Sequence, residues 1–181
     1  FHQSWYRGCV LGLPPGVNQA SKVKKRYGNV LRNGDGEQGY NFLTEGIRQV
    51  ARDRLAEGGG AIERNRLHCN LLSSQPMCFN LFAPLQLDPS LATTLVSALP
   101  GLPEGIQVTA VRLEYAPDPL KHLMDRSAFD AFIEYRRGDR RGFIGVETKL
   151  TEPFSQKSYT FSKEGYSVVA HFCPMKSRHP R

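Results

Sequence analysis

The sequence predicts an α+β domain, with helices first and an antiparallel β-meander after. Three observations carry this. Residues 41–100 place apolar side chains at the 3.6-residue helical spacing, interrupted by caps and glycines. Residues 105–175 alternate apolar and polar positions. Within them, "FIEYRRGDRRGFIG" sets two apolar runs either side of Gly138-Asp139, the signature of a hairpin with a two-residue loop. The chain has 181 residues, 40% hydrophobic and 23% charged, a length and composition that suit one globular domain over 1–181.

The elements follow in order. Residues 1–40 are rich in Gly, Pro and Asn and read as an extended basic arm, whose charge lies in Lys22, Lys24, Lys25 and Arg26. From Asn41, Leu43, Ile47, Val50, Ala51 and Leu55 form a helical face that Gly58-Gly59-Gly60 ends. A second helical stretch runs from Ala61 to about Leu72. The segment "SSQPMCFNLFAPL" is too apolar for a surface loop and reads as a buried helix or tight turn capped by Ser73 or Ser74. Asp88-Pro89 opens another helix, with Leu91, Leu95 and Leu99 as its apolar positions and Pro100-Gly101 as its stop. Ile106, Val108 and Ala110 alternate, then Val111, Leu113 and Tyr115 do so on the other parity, which predicts a bulge in mid-strand. The hairpin, Phe129–Arg137 and Arg140–Leu150, comes next. A short strand at Tyr166–Phe172 and a basic tail are expected to close the chain.

The net charge of +7 favours an anionic partner, with nucleic acid in the lead. No run of about 18 apolar residues exists, so no membrane-spanning helix is expected. The first residues lack the pattern of a secretory leader, and the missing initiator Met suggests a start inside a longer chain. Cys9, Cys69, Cys78 and Cys173 form no CxxC pair and read as reduced, mostly buried thiols of a cytoplasmic protein. His68-Cys69 and His171-x-Cys173 are spaced too irregularly for a zinc site.

The hairpin carries the chemistry. If Arg137 pairs with Arg140 across the turn, counting outward brings Asp130 directly opposite Glu147, on a face shared with Phe132 and Phe143. Directly opposed side chains have Cβ atoms roughly 4.5–5.5 Å apart. Lys149 lies two positions beyond Glu147 on the same face, and Gly145 leaves space for a close approach. Two facing carboxylates repel unless a cation sits between them. Mg²⁺ fits, since it takes oxygen ligands and keeps waters for chemistry, and the backbone carbonyl of Thr148 is a further candidate ligand. Lys149 beside that ion would orient or deprotonate a water, or offset charge on a phosphate. Glu134 is too far back to join and is expected to pair with Arg141 or another turn arginine. The competing reading is a solvated ion pair on an edge hairpin.

The order Asp, hairpin, Glu-x-Lys resembles the PD-(D/E)xK nuclease superfamily, with its restriction-endonuclease-like fold. The phrases "YGNVLRNGDGEQGYNFL", "NLLSSQPMCFNLFAPL" and "DAFIEYRRGDRRGFIGVETKLTEPFSQ" resemble one restriction-endonuclease branch of it. The resemblance covers most of residues 27–157 and implies roles for Asp130, Glu147 and Lys149. Asp130 and Glu147 would bind Mg²⁺ or Mn²⁺, and Lys149 would position the attacking water in cleavage of DNA. It also implies a Glu from the first core helix as a further ligand, for which Glu63 is preferred over Glu45. Phe129 stands where the family pattern has Pro. Pro117-Asp118 lies before the hairpin and is set aside. The chain ends soon after Lys149, so the last part of the family fold is expected to be abbreviated or cut short. Gln156 is a further residue near the site or the cap of a turn.

The expected phosphate contacts are Lys24, Lys25 and Arg26 in the arm, with Arg136, Arg137, Arg140 and Arg141 at the hairpin tip. A homodimer and a partner subunit both stay open. Two alternatives remain beside the nuclease: a catalytically silent nucleic-acid-binding module, or an interaction subunit docking through "MCFNLFAPL".

Overall fold

Gly138 takes a positive φ of 55°, which glycine adopts at no steric cost, and the turn it forms with Asp139 pairs Arg137 with Arg140 as predicted. The computed structural model describes residues 1–19, 22–58, 62–117 and 128–151. The chain divides into two units, Phe1–Ala116 with Ala128–Glu152, and Pro117–Ser127 with Pro153–Arg181. The strand expected at Tyr166–Phe172, Cys173 and Gln156 lie outside the described residues.

The N-terminal residues are not simply an arm. Helix α1 (His2–Trp5) continues into a π-helical turn, Tyr6–Val10, and β1 (Gly16–Val17) pairs with β2 (Arg26–Tyr27) in a short antiparallel ribbon. Val30 and Leu31 are buried with Cys69 and Leu71 in a small core of their own. The Leu31 carbonyl packs against Gly16 so tightly that no side chain fits there. Composition suggested a loop because Gly and Pro dominate, but two adjacent apolar residues suffice to tie the segment down.

Helix α2 (Asn33–Glu37) is followed by α3 (Glu45–Glu57), which starts later than the periodicity suggests. Thr44 caps it, its hydroxyl accepting from the Ile47 N–H, and Leu43 is left outside at 70% exposure. Helix α4 is shorter than expected, Arg64–Cys69. The apolar segment is helix α5 (Ser74–Leu87), with Ser73 as its cap. Its Cys78, Phe79, Ala83 and Leu85 are buried, so most of the surface offered for partner docking is consumed by the protein's own core. Helix α6 (Pro89–Ser97) opens as predicted, Asp88 accepting from the N–H groups of Ser90 and Leu91.

The buried face of α6 is not the leucine row. Ala92 and Val96 are buried while Leu91, Leu95 and Leu99 are 39–49% exposed. The small Ala92 lets the helix approach the sheet closely enough for the Thr93 hydroxyl to accept the Val108 N–H at 3.0 Å. That sheet has the order β3-β4-β5: β3 (Gln107–Tyr115), β4 (Phe129–Arg137) and β5 (Arg140–Val146), all antiparallel. The β3–β4 register shifts between Val108 and Ala110, the bulge that the change of parity predicts. Helices α3, α5 and α6 and one face of the sheet share the main core, where Phe79, Leu67, Ala131 and Ile133 are closed to solvent. Burying a large apolar side chain of this kind contributes about 2–3 kcal/mol. This core fixes the end of the sheet at which the acidic residues gather.

Candidate active site

The β4–β5 ladder runs regularly from Arg137↔Arg140 to Ala131↔Val146, so Asp130 and Glu147 are the next opposed positions, just past the last paired residues. On the other side of β4, the pairs Leu113↔Ala131 and Tyr115↔Phe129 place Glu114 opposite Asp130. One row across the three strands therefore carries Glu114, Asp130 and Glu147. The sequence reading missed Glu114.

Asp130 is held by the residue that follows Glu147. Its Oδ2 accepts from the Thr148 N–H at 2.5 Å and from the Thr148 hydroxyl at 2.7 Å, and Thr148 itself is buried. The Asp130 backbone carbonyl accepts the Cys78 thiol of α5 at 3.0 Å. Alternation breaks at the start of β4. The Phe129 ring lies over Gly145 and 5.4 Å from Phe132, on the side that regular alternation would give to Asp130. The expected sharing of a face with Phe132 and Phe143 is thus corrected, and the space left by Gly145 is filled by Phe129 rather than open to a ligand.

The Glu114 carboxyl is shifted by its surroundings. Burial raises the Glu114 carboxyl most, the Asp130 charge adds to it, Arg54 opposes, Glu147 adds again and Arg66 opposes, leaving it at about 7 instead of 4.5. The Cys78 thiol is also pushed up, first by burial and then by the charges of Asp130, Glu114 and Glu147. The strand register places the three carboxylates in one row at one end of the sheet. Glu147 bonds the Lys149 ammonium through Oε1, and both side chains reach solvent. Acid, acid and ammonium at the end of a three-stranded meander form an arrangement that can hold a cation and act on a phosphate.

The family model of the PD-(D/E)XK nuclease superfamily matches residues 1–176. The chain belongs to that superfamily. No curated protein and no solved structure matches the chain. Helices ahead of an antiparallel three-stranded sheet agree with the restriction-endonuclease-like fold of PD-(D/E)XK proteins. Members are typically nucleases, and PD-(D/E)XK nucleases generally use divalent metal ions.

Whether this PD-(D/E)XK chain suits such an ion can be judged from its donors. Among the described residues no three Asp, Glu, His or Cys side chains are already drawn together as a metal cage. The donors at the strand ends are nevertheless all carboxylates, the ligand type of Mg²⁺ and Mn²⁺. Glu114 is 3% exposed, and its Oε1 is buried with no hydrogen-bond partner among the described residues. A buried carboxylate oxygen left unsatisfied fits a cation as its missing partner. Asp130, Glu147 and the Thr148 carbonyl are the residues that would hold it.

Glu63 does not join this group. It caps α4, Oε1 accepting from the Asn65 N–H at 2.9 Å and Oε2 from the Arg66 N–H at 2.7 Å. Both of its oxygens, which the sequence offered to a metal, are engaged in capping. Glu45 is paired with Arg48 and Arg52 on the surface of α3. Glu134 pairs with Arg112 of β3 at 3.4 Å and not with a turn arginine, because the neighbouring strand lies closer than the turn.

The basic residues fall into two sets. Arg137, Arg140 and Arg141 are exposed at the hairpin tip, and Arg136 donates to the Gln107 side chain. At the rise of a strand, the tip stands roughly 23 Å from Asp130. Lys24, Lys25 and Arg26 are exposed around β2, with Lys24 bonded to the Gln19 carbonyl and Lys25 over the Tyr27 ring. Among the described residues no helix is long and apolar enough to cross a membrane.

Proposed function

We propose that the chain is a metal-dependent endodeoxyribonuclease that hydrolyses DNA phosphodiester bonds, acting in the cytoplasm in restriction or defence. The observation that supports it most is the gathering of Asp130 and Glu147 at one strand end beside Lys149, in a chain of a nuclease superfamily.

Asp130 is the fixed acid of the site: two donors from Thr148 hold its Oδ2, and its carboxylate would take the cation. Glu147 is the second acid and Lys149 its neighbour. When bound there, Mg²⁺ or Mn²⁺ would supply a polarised phosphoryl oxygen and a more acidic water. The Lys149 ammonium, once released from Glu147, orients the attacking water and offsets negative charge developing on the phosphate. The arginines of the tip and the cluster Lys24, Lys25 and Arg26 hold the sugar–phosphate backbone through charge, which positions the duplex without reading its sequence. Cutting both strands asks for two such sites, which a homodimer or a partner subunit would supply.

The test is cleavage of supercoiled plasmid with Mg²⁺ or Mn²⁺ by the native chain, Asp130→Asn and Lys149→Ala. The native chain is expected to nick and linearise the plasmid, and both variants to fail. Cutting that depends on metal but ignores both substitutions would end the assignment. Binding of DNA without cutting under any metal would favour a silent binding module.

A further inference from the structure

Glu114 differs from Asp35, the other buried acid described, whose carboxylate is paired with Arg32. Glu114 is 3% exposed, where the carboxylates of Glu45 and Glu147 are mostly in solvent. Its Oε1 has no hydrogen-bond partner among the described residues. It is the one non-glycine residue among those described with a positive φ, at 48°, a left-handed conformation that a long side chain adopts only under constraint. Arg54 supplies that constraint from α3, donating to the Leu113 carbonyl at 2.9 Å and to the Glu114 carbonyl at 2.7 Å. A buried acid with an unpaired oxygen, on a strained backbone, is costly for the fold, and an apolar residue would serve packing better.

The position explains what the fold gains. Glu114 faces Asp130 across the β3–β4 pair, as Glu147 does across the β4–β5 pair. Carboxylates at the ends of three adjacent strands repel unless a proton or a cation joins them. We infer that Glu114 is a third carboxylate ligand of the divalent ion, supplied by strand β3 and not by a helix. The inference rests on the metal site proposed above and deepens it. The backbone twist at Glu114 is then what turns this side chain from the alternation of β3 towards the ion.

The test is calorimetric titration of Mn²⁺ into the full chain without DNA, for the native protein, Glu114→Gln and Asp130→Asn, with melting temperatures taken with and without metal. Native protein is expected to bind and Asp130→Asn to lose binding. Glu114→Gln is expected to bind at least about tenfold more weakly. Without metal it melts no lower than native, since the amide removes a buried charge, while the rise in melting temperature with Mn²⁺ shrinks. Native affinity in Glu114→Gln, with binding lost in Asp130→Asn, overturns the role of Glu114 and leaves the metal site standing. Absence of Mn²⁺ binding by the native chain overturns both. Should Glu114→Gln not fold, Glu114→Asp keeps the charge but withdraws the oxygens, and a loss of about tenfold is again expected. Unchanged affinity there would overturn the inference.

Discussion

At its turn end the β4–β5 hairpin is regular: Gly138 and Asp139 close it, each residue pairs with its predicted partner, and the side chains are solvated arginines. At its open end the same two strands lose their regularity. Phe129 crosses to the Phe132 side, Asp130 turns to Thr148, Glu114 takes a left-handed backbone, and three carboxylates sit where the core begins. The turn end obeys local rules and costs the fold little. The open end breaks alternation, buries charge and leaves an oxygen unpaired, the pattern of a site shaped for chemistry and not for stability.

This contrast can be broken by substitution. The largest effect is expected at Asp130: Asp130→Asn should lower the cleavage rate by about 10³-fold, the scale of losing a group that organises charge in the transition state. Lys149→Ala should cost about 10²-fold in kcat with little change in DNA affinity, read by single-turnover cleavage beside filter binding. Thr148→Val removes the hydroxyl but keeps the backbone donor to Asp130. A fall of about tenfold in activity and about 1 kcal/mol in denaturant stability is expected. The turn end should behave otherwise. Replacing Arg137, Arg140 and Arg141 with Ala should reduce the salt dependence of DNA binding by about two to three phosphate contacts and leave the rate at saturating DNA unchanged.

The smallest effect is on pH dependence. The Glu114 carboxyl is raised in the folded, metal-free chain from 4.5 to about 7 by burial and by Asp130 and Glu147, against Arg54 and Arg66. The folded state holds its proton more tightly than the unfolded chain. Its contribution is therefore fully present below about 4.5 and is lost as pH rises through about 7. Melting curves of the metal-free chain should show a decline over that window that Glu114→Gln lacks.

The same contrast explains what was legible in the sequence. A two-residue turn fixes register, so Asp130 opposite Glu147 follows by counting from Gly138-Asp139. The switch of parity after Ala110 likewise announces the bulge. No tight turn joins Tyr115 to Phe129, so nothing local sets the β3–β4 register, and Glu114 went unnoticed. Glu63 drew attention because a helix-borne acid was expected, but its spacing to Asn65 and Arg66 is that of an N-cap. A closer signal was the burial of Leu113 on one side of Glu114 and the aromatic Tyr115 on the other, a setting with little room for a solvated acid. Leu91, Leu95 and Leu99 misled for a different reason. Periodicity identifies an apolar stripe, but the size of the residue at the contact decides which stripe a sheet accepts, and Ala92 allows the closer approach.

The most direct measurement is anomalous diffraction from crystals of the native chain soaked in Mn²⁺. The account predicts a Mn²⁺ peak at the end of the meander, coordinated by Asp130 and Glu147 with Glu114 as the third carboxylate. A saturating soak that leaves those carboxylates without metal, or that places the ion elsewhere on the chain, would contradict it.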